Sequence, residues 1–287
     1  MLTEGRVVIH ERMGAEDQRL RRLVIKGPIA RTARAGQFVS VQIQDPALAS
    51  FDPLLRRPIS IAGISPDRDE VTLLYKIVGR GTEILAKTRC GESLSVMGPL
   101  GNGFSLPKEG ELWLVAGGIG AFPLYALAQS ALAQSLKVRL FWGGENQSFL
   151  ESAGLPSWQA LGISNHLSTL DGSLGQKGLV TELLREQLSR LFGPNKFETM
   201  ENQTPGCGKV SVATCGPKKM MQAVTELCLN FGVPLEVSME ERMGCAVGAC
   251  LGCICTLKDE TGNLIHKKVC HDGPVFRGEE VVWDESC

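Results

Sequence analysis

Net charge, long apolar runs and histidine are all scarce in this 287-residue chain, and each scarcity removes a class of function. Thirty Lys and Arg stand against 31 Asp and Glu, for a formal net charge of −1. That balance supplies no electrostatic basis for binding nucleic acid or an anionic membrane. No apolar run approaches the roughly 20 residues of a membrane-spanning helix. Met1 to Arg22 is charged throughout and lacks the apolar stretch of a secretory signal, so the expected location is the cytoplasm. The four histidines fall in no catalytic pattern, and no residue is assigned as a catalytic acid, base or nucleophile. Aromatic residues make up 6% of the chain, and only two are Tyr. There is no internal repeat and no long low-complexity tract.

Glycine and cysteine are what the chain has instead. Its 33 glycines and 43% hydrophobic residues suit a turn-rich protein containing β or α/β structure, and its length suggests about two domains with a small appendage. Ten cysteines in a chain without a secretory signal argue for metal or redox use rather than a disulfide framework. Four of them, Cys245, Cys250, Cys253 and Cys270, have the spacing C-x4-C-x2-C followed after 16 residues by the fourth. This is plant-type [2Fe–2S] spacing. Nearly every other position of the loop is small, namely Gly244, Ala246, Gly248, Ala249 and Gly252. Small residues let backbone N–H groups approach negatively charged sulfur, and glycine also permits positive φ. A four-cysteine zinc site usually reads as two C-x2-4-C knuckles, and only half of this pattern does. Cys255, in an alternating strand-like run, is read as a non-ligand. Cys90, Cys207, Cys228 and Cys287 are read as ordinary thiols.

The pattern changes twice along the chain. Residues 1 to about 105 hold six short β-prone runs (Arg6–His10, Leu20–Lys26, Gln37–Gln44, Ile59–Ala62, Val71–Val78 and Ser93–Met97) punctuated by Gly, Pro and Asp. They suggest a small antiparallel barrel with one helical interruption at Gly81–Cys90. From Glu111, strands at Leu112–Ala116, Lys137–Trp142, Asn165–Leu170, Lys209–Thr214 and Leu235–Met239 alternate with helices at Ala121–Ser135, Leu179–Phe192 and Pro217–Phe231. That alternation predicts a doubly wound parallel sheet. Gly193 to Gly208 reads as a polar surface insertion. Two short strands, Cys253–Lys258 and Ile265–Val269, follow the cysteine loop. The expected units are a β-barrel over 1–106, a nucleotide-binding α/β domain over 107–238 and a cluster module over 239–287.

Three further elements bear on cofactors. Arg57-Pro-Ile-Ser60 lies in a barrel strand, where an Arg can neutralise a flavin pyrophosphate and a Ser can reach the flavin N5 edge. By itself the motif is weak and reads rather as a surface Arg and a strand Ser. It gains weight from Gly79-Arg-Gly-Thr82, which opens a short helix whose free N–H groups suit a phosphate. Gly117-Gly-Ile-Gly120 and Cys215-Gly-Pro217 each end a strand and open a helix, where α/β sheets bind ligands. The first is also read as a tight turn and the second as a buried small residue. Glu145, after the second strand of the sheet, can receive ribose hydroxyls and disfavours a 2′-phosphate, which inclines the reading to NAD over NADP.

In this order, these elements resemble the ferredoxin-reductase type of flavoprotein. The run Ser238-Met-Glu-Glu-Arg-Met-Gly-Cys-Ala-Val-Gly-Ala-Cys-Leu-Gly-Cys253, with Lys268-Val-Cys-His-Asp-Gly-Pro-Val-Phe276, is similar to the electron-transfer subunits of NAD-dependent (class 1B) dihydroorotate dehydrogenases. The resemblance covers essentially the whole chain. It implies FAD held by Arg57, Pro58, Ile59, Ser60, Leu74, Tyr75, Lys76, Gly81 and Thr82, and NAD as substrate at Gly117, Gly118, Gly120, Cys215, Gly216 and Pro217. It further implies a [2Fe–2S] cluster on Cys245, Cys250, Cys253 and Cys270. The broader reductase family often carries an aromatic where this chain has Ile59. The resemblance also implies an FMN-containing dihydroorotate dehydrogenase catalytic subunit as partner in an α2β2 heterotetramer, serving pyrimidine biosynthesis. Three other readings stay open: the reductase of an oxygenase, the small subunit of a ferredoxin:NADP transhydrogenase-type flavoprotein, and a zinc-stapled binding protein.

Overall fold

A computed structural model describes residues 1–44, 52–193 and 210–283. The expected insertion lies outside the described residues apart from Gly193, as do Cys207 and Cys287. The N-terminal half is a closed antiparallel barrel. Its strands are β1 (Leu2–Met13), β2 (Leu20–Lys26), β3 (Phe38–Val41), β4 (Arg57–Ile64), β5 (Glu70–Lys76) and β6 (Ser93–Leu100), in the order β1-β2-β5-β4-β3-β6. Inward positions such as Leu23, Ile25, Val39, Ile59, Ile61, Leu73 and Val96 form one core, as the period of two requires. Among the described residues two short helices interrupt the barrel, α1 (Ile29–Thr32) and α2 (Arg80–Leu85). The second is shorter than the interruption expected from the sequence.

The second half is a seven-stranded sheet. It contains β7 (Glu111–Gly117), α3 (Ala121–Ala133), β8 (Lys137–Gly144), α4 (Gln147–Ser152), α5 (Leu155–Ala160), β9 (Ser164–Thr169), β10 (Gln176–Lys177), α6 (Val180–Phe192), β11 (Val210–Cys215), α7 (Lys218–Asn230) and β12 (Leu235–Ser238). The central strands are apolar on both faces, which is the mark of a sheet covered on both sides. Trp113 and Val115 of β7 join a core with α6 and α7. Leu112, Leu114 and Ala116 join a core with α3, α4 and α5 on the other face. That second core also takes in Leu20 and Ala62 of the barrel, so the barrel docks against α3.

The cluster region adds β13 (Ile254–Lys258) paired with β14 (Leu264–Lys268), then β15 (Val275–Arg277). Strand β15 pairs antiparallel with β12 as the edge of the large sheet. Ala246, Cys253, Cys255, Leu257, Val269 and Cys270 are buried in the same core as Val212 and Val237 of the α/β domain. A barrel contact completes the placement. The Asn102 amide N–H donates to the Gly273 carbonyl at 2.6 Å, and Asn102 Nδ2 donates to the Asp272 carbonyl at 2.9 Å. Gly101 has φ +73° at this crossing, and a Cβ there would lie 2.6 Å from the Gly273 oxygen.

One polar pair in the barrel generates a pH prediction. His10 Nδ1–H donates to the Thr88 carbonyl at 2.8 Å, which leaves Nε2 to accept from the Tyr75 hydroxyl at 2.9 Å. Burial lowers the His10 pKa below its ordinary 6.5. The unfolded chain therefore takes up a proton that the folded one refuses, and stability falls as pH drops below 6.5 towards the folded pKa. In denaturant titrations His10→Gln flattens this part of the stability curve relative to the native chain. Parallel curves would contradict the assignment.

Candidate functional site

A cavity of about 260 Å³ opens between the barrel and the sheet. On β4 the alternation turns Ile59 into the barrel core while Pro58 and Ser60 stay half-exposed, and all three border the cavity with Arg57. The Ile59 side chain belongs to the barrel interior and not to a stacking surface. Tyr75 likewise packs in the barrel core, and its burial raises the phenol pKa. Leu74 and Lys76 also border the cavity. The Arg57 guanidinium lies over the first turn of α2, so close that a Cβ on Gly81 would sit 2.8 Å from Arg57 Cζ. Thr82 Oγ1 accepts from the N–H groups of Val78 (3.0 Å) and Gly79 (3.3 Å), so its hydroxyl shapes the turn. A guanidinium and a glycine-opened turn thus converge at one end of the cavity, a donor set that suits a pyrophosphate.

A second cavity, of about 440 Å³, lies at the carboxyl ends of β7 and β11. Strand order in the large sheet is β10-β9-β8-β7-β11-β12-β15, so the chain winds one way from β7 and then returns to β11 on its other side. The reversal between β7 and β11 is where open α/β sheets bind ligands. Gly117, Gly118, Gly120, Gly216 and Pro217 border this cavity. The two turns are in contact: a Cβ on Gly120 would lie 2.7 Å from the Gly216 nitrogen, and one on Gly117 2.8 Å from Pro217 Cδ. Only glycine fits there. Cys215 lines neither of these two cavities. Its thiol is buried, and burial pushes its pKa up. Sequence reasoning missed Trp142. Its indole Nε1–H crosses from β8 to the Gly118 carbonyl at 2.9 Å and fixes the orientation of the glycine turn. Glu145 and Phe149 border both this cavity and a neighbouring apolar one of about 410 Å³.

The four cysteines stand in two pairs, Cys245 with Cys250 and Cys253 with Cys270. Among the described residues no three His, Cys, Asp or Glu side chains converge on one point, as a mononuclear zinc site requires. Backbone N–H groups point at sulfur: Cys250 N–H at Cys245 Sγ (3.3 Å), Gly248 N–H at Cys270 Sγ (3.2 Å) and Cys270 N–H at Cys253 Sγ (3.5 Å). The N–H groups of Cys250 and Val247 bring the Cys245 pKa down to about 6, while burial and the adjacent Cys253 push Cys270 up to about 12. Ala246 at φ +60° and Gly248 at φ +81° turn the loop so that its amides face inward. Paired thiols served by amide donors fit a dinuclear cluster with two cysteines to each iron. Cys253 and Cys270 are 1% exposed, whereas Cys245 and Cys250 are partly open to solvent. Cys255 is buried in the shared core.

The three sites meet along one segment. Lys76, Ile119, Met239, Glu240 and Glu241 border both the first and second cavities. Met243, two residues before Cys245, and Pro274, four after Cys270, border the first. Met239, Glu240, Glu241, Met243 and Pro274 were present in the motifs quoted above, but nothing local in them signalled a cavity. Burial raises the pKa of Glu240.

Two substitutions test this geometry. Gly120→Ala drives a methyl into the Cys215–Gly216 peptide and is expected to weaken NADH binding at least tenfold in a fluorescence titration while the flavin stays bound. Trp142→Phe keeps the packing but releases the Gly118 carbonyl, and a few-fold rise in the same dissociation constant is expected. Unchanged affinity in both would show that the glycine turn does not carry the nucleotide.

Comparison with known proteins gives a consistent picture. A family model described as the iron-sulfur cluster binding domain of dihydroorotate dehydrogenase B matches residues 240–282. The chain is 38% identical over 258 residues to the dihydroorotate dehydrogenase B (NAD(+)) electron transfer subunit of Desulforamulus reducens, covering 89% of each chain. It is 38% identical over 283 residues to the protein of the same name from Geobacillus kaustophilus, covering 95% of this chain and 98% of that one. Among solved structures it resembles an NADH-dependent reduced ferredoxin-NADP oxidoreductase at 27% identity, with a TM-score of 0.76 over 98% of this chain and 90% of the other. On its barrel, its switch-point glycines, its paired cysteines and these likenesses, the chain belongs to the family of dihydroorotate dehydrogenase B (NAD+) electron transfer subunits.

Proposed function

We propose that this chain carries electrons released by dihydroorotate oxidation on a partner subunit through a [2Fe–2S] cluster and FAD to NAD+. One observation carries the order. The 260 Å³ cavity is bordered by Met243 and Pro274, next to the cluster cysteines, and shares Lys76, Ile119, Met239, Glu240 and Glu241 with the nucleotide cavity. A flavin in that cavity therefore lies between the other two groups. The cofactors supply the redox chemistry: a cluster handles single electrons, nicotinamide accepts a hydride, and a flavin deals in both.

The residues of this chain bind and orient. Arg57 and the turn at Gly81 and Thr82 receive the FAD pyrophosphate. Pro58, Ser60, Leu74 and Lys76 line the cavity that would receive the flavin, where the Ser60 hydroxyl would offer it a hydrogen bond, while Ile59 and Tyr75 hold the strands from the barrel core. Gly117, Gly118, Gly120, Gly216 and Pro217 cradle the dinucleotide, with Cys215 packed beneath. Glu145 accepts from ribose hydroxyls and repels a 2′-phosphate, which supports NAD over NADP. Cys245, Cys250, Cys253 and Cys270 hold the iron.

The partner reading rests on the exposed side of the cluster loop. Val247 is 45% and Leu251 70% exposed, and both flank the open pair Cys245 and Cys250. Apolar residues at that edge suit a docking surface for an FMN-containing catalytic subunit, in an α2β2 assembly located in the cytoplasm. The 38% identity to electron transfer subunits over most of the chain favours this reading over an oxygenase reductase or a transhydrogenase-type subunit.

The purified protein is expected to contain about two irons per FAD, with cluster absorbance beneath the flavin bands. Cys250→Ala abolishes the cluster and leaves FAD bound; a full cluster in that variant would refute the ligand set. Mixed with a catalytic subunit of the family, the native protein lets dihydroorotate reduce NAD+. Absence of NADH formation by a fully loaded mixture would overturn the functional assignment.

A further inference from the structure

Lys268 connects the fourth cysteine to the loop carrying the other three. It closes β14 two residues before Cys270, and it uses its backbone and its side chain for the same purpose. Its N–H donates to Asp272 Oδ2 at 2.8 Å. Its carbonyl accepts the N–H groups of His271 at 3.0 Å and Asp272 at 2.8 Å, which forms the tight turn around Cys270. Its side chain then crosses to the cysteine loop, where Nζ donates to the Gly248 carbonyl at 2.6 Å. The N–H of that same Gly248 points at Cys270 Sγ at 3.2 Å.

Gly248 is therefore held at its carbonyl by an ammonium, while its N–H, in the preceding peptide unit, donates to a ligand sulfur. Gly248 has φ +81°, and a Cβ there would lie 3.0 Å from the His271 side chain, so the residue cannot easily be exchanged for one that fixes the turn by itself. Lys268 is half-buried, and withdrawing an ammonium from water costs free energy that a neutral donor would not incur. The placement makes sense where the neighbouring group is negative and becomes more so on gaining an electron.

We propose that Lys268 is a positioning and potential-setting residue for the cluster. It holds the Gly248 amide against Cys270 Sγ, and its charge favours the one-electron-reduced state, in which the electron delivered from the catalytic subunit adds one negative charge to the cluster. The proposal rests on the [2Fe–2S] reading of the four cysteines. Asp272 spends Oδ2 on the Lys268 N–H and sets Oδ1 3.2 Å from His271 Nδ1, while the Lys268 ammonium is taken up by the Gly248 carbonyl.

The test uses the full-length protein with its cofactors. Iron content and the midpoint potential, followed by the paramagnetic signal of the reduced cluster, are compared for the native chain, Lys268→Arg and Lys268→Met. The Met variant is expected to retain its iron and to show a reduction equilibrium at least tenfold less favourable, equivalent to 59 mV for one electron. The Arg variant, which keeps charge and donors, is expected to stay close to the native value. A Met variant at the native potential overturns the proposal. So does a Met variant that loses its iron while the Arg variant keeps it, since Lys268 would then be a structural tie alone. If the native protein holds no iron and gives no paramagnetic signal, the cluster reading itself has failed and the proposal falls with it.

Discussion

The Met239 N–H donates to the Pro274 carbonyl at 2.8 Å, in register with the pairing of β12 and β15, and the arrangement of the redox sites depends on that clasp. Residues 240–273 make one excursion from the edge of the sheet, hold the cysteines and return. Both residues of the clasp border the cavity between the barrel and the sheet. An electron-transfer protein has little bond chemistry to perform; its contribution is to fix its cofactors relative to one another. Here the fixing is done by backbone hydrogen bonds and a shared core rather than by a linker. Ala246, Cys253 and Val269 are buried with Val212 and Val237, so the cluster loop cannot move as a unit without opening the sheet. Asn102 adds a tie from the barrel, which completes a three-way junction.

The sheet divides its labour by position. Its interior follows from continuous apolar runs buried on both faces and needs nothing special. Its carboxyl edge between β7 and β11 is built from residues that would be poor choices elsewhere: glycines that let two turns touch, and an indole whose only polar atom is turned to a glycine carbonyl. Restrained glycine turns present amides to a ligand without paying to order them at the moment of binding. The cysteine loop repeats the principle with sulfur as the acceptor and with Gly248 at positive φ.

Much of this was legible in the sequence because it is local. Cysteine spacing reports a loop, alternation reports strands, and a glycine run between a strand and a helix reports a turn. Strand β15 was missed because it has only three residues, Val275–Arg277, and exists through its partner β12. The short helices α4 and α5 were missed because six residues carry too little periodicity to read. The inward orientation of Ile59 and Tyr75 depends on register around a closed barrel. Trp142 and Lys268 act on carbonyls 24 and 20 residues away, and no spacing rule connects such pairs. Spacing supplied the cysteine ligand set and the family resemblance the flavin and nucleotide positions, but neither supplied the residues that join the sites.

One chain here holds a two-electron and a one-electron cofactor in communication. Anaerobic titration of the purified protein with NADH, followed by flavin and cluster absorbance together, tests it directly. Both chromophores are expected to bleach in one experiment, with full reduction taking about three electron equivalents per chain, two for the flavin and one for the cluster. Flavin bleaching that stops at about two equivalents, with the cluster left oxidised although its potential lies within reach of NADH, would contradict it.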